Sequence, residues 1–241
     1  SGIAASVDCN NRWVSLDPLR GTIAAVAESS RNVSCVGALP VAITNNLNFP
    51  SPETDIGYWQ LSKACQGIST ACEALETPVT GGNVSLYNES IDDEGNKKPI
   101  QPTPVIGMVG VLDNVKKAVS SGWKNINDEI WIIGSRDSGQ TLGASSYLEY
   151  FHGQVTGRPP RLNLIDEKLC QLFIRNGILN NLIISSHDIS DGGLAIALAE
   201  ACILSDKGAS INLIADERKD SLLFSEGGSR IIFSVPHIKK M

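Results

Sequence analysis

The sequence predicts an α+β protein of two domains, each a sheet with helices on one face. Three observations predict it. Short runs rich in Val, Ile and Ala alternate with helical repeats along all 241 residues. A weakly patterned stretch near residues 113–128 separates two such sets. Hydrophobic residues at 42% and charged residues at 19% are ordinary for a globular chain, while aromatics at 5% call for an aliphatic, alanine-rich core. The expected division is a first domain over 1–113, a connector over 114–128 and a second domain over 129–241.

The elements follow in order. Gly2–Val7 reads as a strand. Asp17-Pro18 opens a helix, with Asp as N-cap and Pro at the first helical position; it stops near Gly37, with Pro40 beyond. Val41–Thr44 is a strand. Thr54 or Asp55 caps a long helix whose apolar face is Leu61, Cys65, Ile68, Cys72 and Leu75. Pro78–Thr80 is a strand that breaks at Gly81-Gly82, residues 92–98 form a polar loop, and Pro104–Leu112 is the next strand. One short amphipathic helix is expected in the connector. Glu129–Ile133 is a strand, followed by a helix around Gly143–Phe151 and another capped by Asn163. Leu182–Ser185 is a strand leading to His187-Asp188. Gly192-Gly193 opens the alanine-rich helix Leu194–Leu204, closed by Gly208. Strands Ile211–Ile214 and Ile231–Val235 complete the pattern. Both ends are abrupt, which points to a piece of a longer chain.

Composition excludes several classes. A net charge of −6 without a Lys/Arg cluster leaves no basic face for nucleic acid. No run of about 20 apolar residues marks a membrane span. Six cysteines with no CxxC pair read as buried free thiols of a reducing, cytoplasmic setting. Three histidines without a nucleophile at useful spacing argue against hydrolase chemistry.

Four segments can carry chemistry. In Thr80-Gly81-Gly82-Asn83-Val84-Ser85, glycines let backbone N–H groups approach a phosphate. Asn83 offers a carbonyl oxygen to Mg²⁺, and Ser85 a hydroxyl to a substrate phosphate. A glycine turn between two strands explains the same residues without a ligand. Glu28 and Asn32, four apart on one helix, share a face. With Asp8 and Asp188 at strand ends they can form an oxygen-rich Mg²⁺ cage; pairing of Glu28 with Arg31 on a solvated surface is the alternative. The segment 187–193 lies at a strand-to-helix turn, where Ser190 can meet an anion or Ser190 or Asp191 can be a plain N-cap. Ser225–Arg230 reads as a glycine-rich hairpin turn. Neither GxxxxGK[ST] nor GxGxxG at a strand-to-helix turn is present, so any ATP site lies outside the common phosphate-loop folds.

Together these segments resemble a known family. DPLRGTIAAVAESSRNVSCVGALPVAIT is similar to the helix and strand of aminoimidazole-ribonucleotide-synthetase-like ATP-binding proteins. NNLNFPSPE, TGGNVSLYNES and PIQPTPVIGMVG resemble the second of the two repeats of the phosphoribosylformylglycinamidine synthase family, and HDISDGGLAIALAEA and LFSEGGSRIIFSV its C-terminal-type domain. The resemblance covers nearly the whole chain. It implies a ligase in purine biosynthesis: ATP activates formylglycinamide ribonucleotide, and ammonia from a glutaminase subunit or domain displaces the phosphate. It implies ATP contacts at Asn45 and Gly82, Mg²⁺ at Asn83 and substrate at Ser85. Asn45 stands where many members have Asp, which removes a negative charge. It also implies an auxiliary Mg²⁺–nucleotide site, with ADP as one occupant, at Val7, Asp8, Glu28, Asn32, Asp188 and Ser190. The family's catalytic histidine and substrate-binding arginine belong to the first repeat, the expected partner. No catalytic residue is therefore expected here, and this stretch alone should be inactive. Two other readings stand beside this one: a non-catalytic nucleotide-binding half that braces the first repeat, and a selenophosphate or thiamine-monophosphate relative, against which TGGNVSLYNES argues.

Overall fold

The computed structural model describes residues 1–134, 141–213 and 218–237. Strand β1 (Gly2–Asp8) leads through α1 (Asn11–Leu16) into α2 (Pro18–Cys35). Asp17 caps α2, its carboxylate accepting from the Arg20 amide at 3.1 Å, with Pro18 following. Helix α1 was not foreseen: Asn10 caps it, accepting from Trp13 N at 3.1 Å, but six residues are too few to show a repeat.

Strand β2 (Leu39–Asn48) runs four residues past its expected end, to Asn48. Thr54 caps α3 (Asp55–Leu75), accepting from Gly57 N. The buried stripe of α3 is Ala64, Ile68, Ala71, Cys72 and Leu75; Cys65 faces solvent, contrary to the expected face. Strand β3 (Val79–Ser85) does not break at Gly81-Gly82. It lies parallel to β2, a pairing that a long crossover such as α3 permits. The expected polar loop holds over residues 92–96, as the turn of a short hairpin of β4 (Glu89–Ile91) with β5 (Lys97–Pro99), which takes in the last two residues of the expected loop. Strand β6 (Thr103–Leu112) inserts between β1 and β2, giving the sheet order β1-β6-β2-β3. Helices α2 and α3 cover one face, over a core of Phe49, Ile43, Ile106, Met108 and Val26. Each such side chain taken from water contributes about 1.5–3 kcal/mol.

Among the described residues, nothing covers the opposite face of this sheet. Ile3, Val7, Leu39, Val109 and Val111 are exposed there, alternating along their strands with residues that face the helices.

Beyond β6 a single 3₁₀ turn (Val115–Lys117) stands where an amphipathic helix was expected. Strands β7 (Glu129–Gly134), β8 (Ser185–Asp188) and β9 (Arg230–Val235) form an antiparallel sheet in the order β7-β9-β8. Between them lie α4 (Ser146–His152), α5 (Leu164–Leu179, capped by Asn163), α6 (Gly193–Ser205) and the unforeseen α7 (Lys219–Phe224). Helix α6 ends at Asp206 in the left-handed region, φ 51°, before Gly208 is reached. The strand expected at 211–214 is absent over 211–213, and residue 214 lies outside the described residues. Residues 225–230 link α7 to β9 and make no hairpin.

All six cysteines are free thiols; Cys9 and Cys65 are exposed, not buried as expected. Cys35, at the end of α2, packs with Ile174, Ile178, Ile231 and Phe233 of the second sheet's core. Helix α2 therefore serves both halves of the molecule.

Candidate functional site

Two groups of residues emerge, on opposite edges of the first sheet. Asn45 and Gly82 are register partners, as are Asn46 with Asn83 and Asn48 with Ser85. Asp8, Ile106, Asn45 and Gly82 occupy one row across the sheet. Three strand spacings separate the ends of that row, on the order of 14 Å. The fold therefore keeps the Asn45/Gly82/Asn83/Ser85 group apart from Asp8.

In the first group, side-chain alternation splits the residues. Asn45 points to the helix side with Ile43 and Leu47, while Asn46, Asn48, Asn83 and Ser85 lie on the uncovered side. A Cβ at Gly82 would lie 2.3 Å from Asn45 Oδ1 and 2.8 Å from Asn45 O. This strand glycine is thus required by its neighbour's close approach. Gly82→Ala is expected to cost about 1–3 kcal/mol, seen as a lower urea midpoint with unchanged slope; a midpoint equal to that of the parent chain would show that Asn45 yields freely. Asn83 Nδ2 donates to Asn46 Oδ1 at 3.2 Å, which leaves Asn83 Oδ1 for a cation. Asn46 escaped the sequence argument because it sits outside the glycine motif. Ser85 Oγ donates to Asn88 Oδ1 at 3.2 Å.

The second group lies where β1, α2 and β8 meet. Asp8 Oδ1 accepts from Asn32 Nδ2 at 3.0 Å and Oδ2 from Ser6 Oγ at 3.1 Å. Glu28, one turn before Asn32, is half-buried. Loss of water raises its pKa well above the usual carboxylate range, and repulsion from Asp188 and Asp8 adds to this against the pull of Arg31. Burial likewise raises Asp8. Glu28 does not pair with Arg31 on a wet surface. Arg31 is buried at 3% exposure and its Nη1 lies 2.9 Å from Glu167 Oε2, itself at 0%. Burial lowers the Arg31 pKa, but Glu167, Asp188 and Glu28 outweigh that and hold it up.

Asp188, also buried, keeps one oxygen without a hydrogen bond. Its Oδ2 lies 3.8 Å from Arg31 Nε, which is equally unpartnered. A buried carboxylate oxygen that faces a cation without a hydrogen bond is costly. Beside Glu28 and Asp8 it suits a cation brought in with a ligand. Among the described residues no set of three or more His, Cys, Asp or Glu side chains is arranged to hold a metal ion. The all-protein Mg²⁺ cage expected from Asp8, Glu28, Asn32 and Asp188 is therefore not formed; a cation here would have to take most of its ligands from water and a bound phosphate.

Val7 points its side chain to the uncovered face, 71% exposed, so only its backbone reaches the Asp8 side. Ser190 lies in the turn before α6, its carbonyl accepting from Gly193 N at 3.0 Å. Neither Ser190 nor Asp191 caps α6. Gly192 holds that position at φ 77°, with no side-chain cap. Asp191 instead accepts from Arg12 Nη2 at 3.0 Å and Asn10 Nδ2 at 3.3 Å, tying the turn to α1. Glu226 Oε1 accepts from Gly192 N at 2.8 Å and Ser146 N at 2.7 Å, joining the starts of α6 and α4. Sequence reasoning missed Arg12 and Glu226. Glu226 was in view within the 225–230 segment, but only tertiary contact shows it to be a buried acceptor. His187 lies 2.9 Å from Glu200 through Nε2 and 3.3 Å from Asp188 Oδ1 through Nδ1.

Two family descriptions match this chain: AIR synthase related protein, N-terminal domain, over residues 1–112, and AIR synthase related protein, C-terminal domain, over residues 125–237. Phosphoribosylformylglycinamidine synthase subunit PurL of Prochlorococcus marinus strain MIT 9312 is 73% identical over 241 residues, 100% of this chain. The chain spans 31% of that relative's length. Among solved structures, T. maritima PurL complexed with ATP superimposes with a TM-score of 0.68 at 18% identity, over 97% of this chain and 36% of that one. T. maritima PurL complexed with FGAR gives a TM-score of 0.68 at 18% identity, over 97% and 37%. At that identity the two structures speak for the fold alone. No described helix is long and apolar enough to cross a membrane.

Proposed function

We propose that this chain, which belongs to the AIR synthase related family through both an N-terminal and a C-terminal domain, works within an ATP-dependent phosphoribosylformylglycinamidine synthase. The observation that carries the reading is 73% identity over the whole chain to a PurL subunit. The reaction joins glutamine-derived ammonia to formylglycinamide ribonucleotide in purine biosynthesis. In this reading Asn45 and Gly82 contact ATP, Asn83 binds Mg²⁺ and Ser85 meets the substrate. A glutaminase subunit or domain supplies the ammonia, and the setting is cytoplasmic. The uncovered sheet face with Ile3, Val7 and Val111 exposed supports a partner domain of matching shape, the first repeat of the same enzyme. The residue boundaries 1–113, 114–128 and 129–241 are part of the same proposal.

The unpartnered Asp188 oxygen favours a second role alongside the first. The β1/α2/β8 cleft holds a structural Mg²⁺–nucleotide that braces the catalytic repeat.

The test is kinetic, in the complete synthase. Asn83→Ala is expected to weaken Mg²⁺-ATP use and Ser85→Ala to raise KM for the ribonucleotide. The Asn83 contact, made to a charged group, is worth roughly 1.5–3 kcal/mol, about 10- to 150-fold. Wild-type kinetics in both variants would remove the site assignment.

A further inference from the structure

We propose that Asn88 is a positioning residue that fixes the direction of the Ser85 hydroxyl, so that Ser85 meets an N–H or O–H of the ribonucleotide's amide or sugar and not its phosphate. This rests on the reading above that places Ser85 at the substrate.

The argument starts from the Asn88 carboxamide. Its Nδ2 lies 2.9 Å from Ser85 O and 3.2 Å from Phe49 O. Both partners are backbone carbonyls, which only accept. The amide nitrogen has to face them, so the amide's orientation is decided by its neighbours. Both amide protons are then in use. Oδ1 remains, 3.2 Å from Ser85 Oγ. It too only accepts, so Ser85 donates its single proton there. Lone pairs are all that Ser85 Oγ keeps for a ligand. Turned towards an anionic phosphate oxygen, they repel; turned towards an amide N–H or a sugar hydroxyl, they bind. Donating to Asn88 also makes Oγ a better acceptor. This reverses the direction expected from the sequence, where Ser85 donates to phosphate.

The backbone holds Asn88 in place. Phe49 N donates to Ser85 O at 3.0 Å, Asn88 N to Phe49 O at 3.2 Å and Ile100 N to Asn88 O at 3.2 Å. One asparagine thus ties together the residues following β2, the end of β3 and the approach to β6. Ser85 is half-buried, on the same uncovered side as Asn83.

The test compares formylglycinamide ribonucleotide with its dephosphorylated riboside, the latter as a competitive inhibitor, in the complete synthase. Ser85→Ala is expected to weaken both ligands by the same factor, roughly 5- to 10-fold. A penalty confined to the phosphorylated ligand overturns the proposal and leaves Ser85 at the substrate. No penalty for either ligand overturns the substrate assignment and the proposal with it. Asn88→Ala frees the hydroxyl to turn. In that background the Ser85→Ala penalty should become larger for the ribonucleotide than for the riboside. A purely structural Asn88 would weaken both equally and leave the two penalties matched, which also counts against the proposal. Should Asn88→Ala fail to fold, the Ser85→Ala comparison alone decides.

Discussion

Replacing Arg31 with methionine is expected to destabilise the chain by about 3–5 kcal/mol, because it strands a buried charge. Glu167 is fully buried and its Oε2 accepts from Arg31 Nη1 at 2.9 Å and from Ser229 Oγ at 2.8 Å. Its Oε1 accepts from Gln171 Nε2 at 2.9 Å, and Gln171 Oε1 in turn accepts from Ser30 Oγ at 2.8 Å. This polar chain joins α2 of the first half to α5 of the second. Without Arg31, Glu167, Asp188 and Glu28 face each other with no cation. Adding Glu167→Gln to Arg31→Met should recover much of the loss, since Gln keeps the acceptor for Ser229 and drops the charge. Urea unfolding measures both, read as a shifted midpoint at constant slope. A loss under about 1 kcal/mol for Arg31→Met would mean that the pair does not hold the halves together.

Mg²⁺-ADP at a thousand times its Kd is expected to stabilise the chain by about 4.1 kcal/mol. For a domain of this size that raises Tm by about 8–16 °C. The cause is relief of repulsion. Asp8, Glu28 and Asp188 lie close enough to repel one another, and burial with that repulsion holds Glu28 well above its usual range. The Asp188 oxygen that accepts no hydrogen bond faces Arg31 Nε at 3.8 Å and gains a closer ligand when a cation enters. Phosphates and water complete the Mg²⁺ shell, so few protein ligands suffice. Mg²⁺ alone should give a much smaller shift, and Asp188→Asn should remove most of the Mg²⁺-ADP effect. No shift at millimolar nucleotide, or a shift untouched by Asp188→Asn, would sink the site.

Local chemistry decided part of this protein. Asp17-Pro18, Thr54 and Asn163 satisfy helix N-termini within one turn, so those starts could be read directly. The Val/Ile runs of β6, β7 and β9 carry their own period. Asn83, Ser85, Asp8 and Asp188 could be read as groups able to donate, accept or carry charge, but their pattern alone fits a glycine turn and plain strand ends as well, and their assignment to sites came from the family resemblance.

Tertiary structure decided the rest. Gly81-Gly82 looked like a strand break. Pairing with β2 carries β3 on through both glycines, past a register shift between Ile43 and Thr44, and the close approach of Asn45 leaves no room for a Cβ at Gly82. Arg31 looked like a surface partner for Glu28 at helical spacing. Its true partner lies 136 positions away, because α5 packs on α2 and removes water from the faces that meet. Glu226 and Arg12 were invisible for the same reason. A sequence shows which groups can donate, accept or carry charge; which of them lose water together depends on packing between elements far apart in the chain.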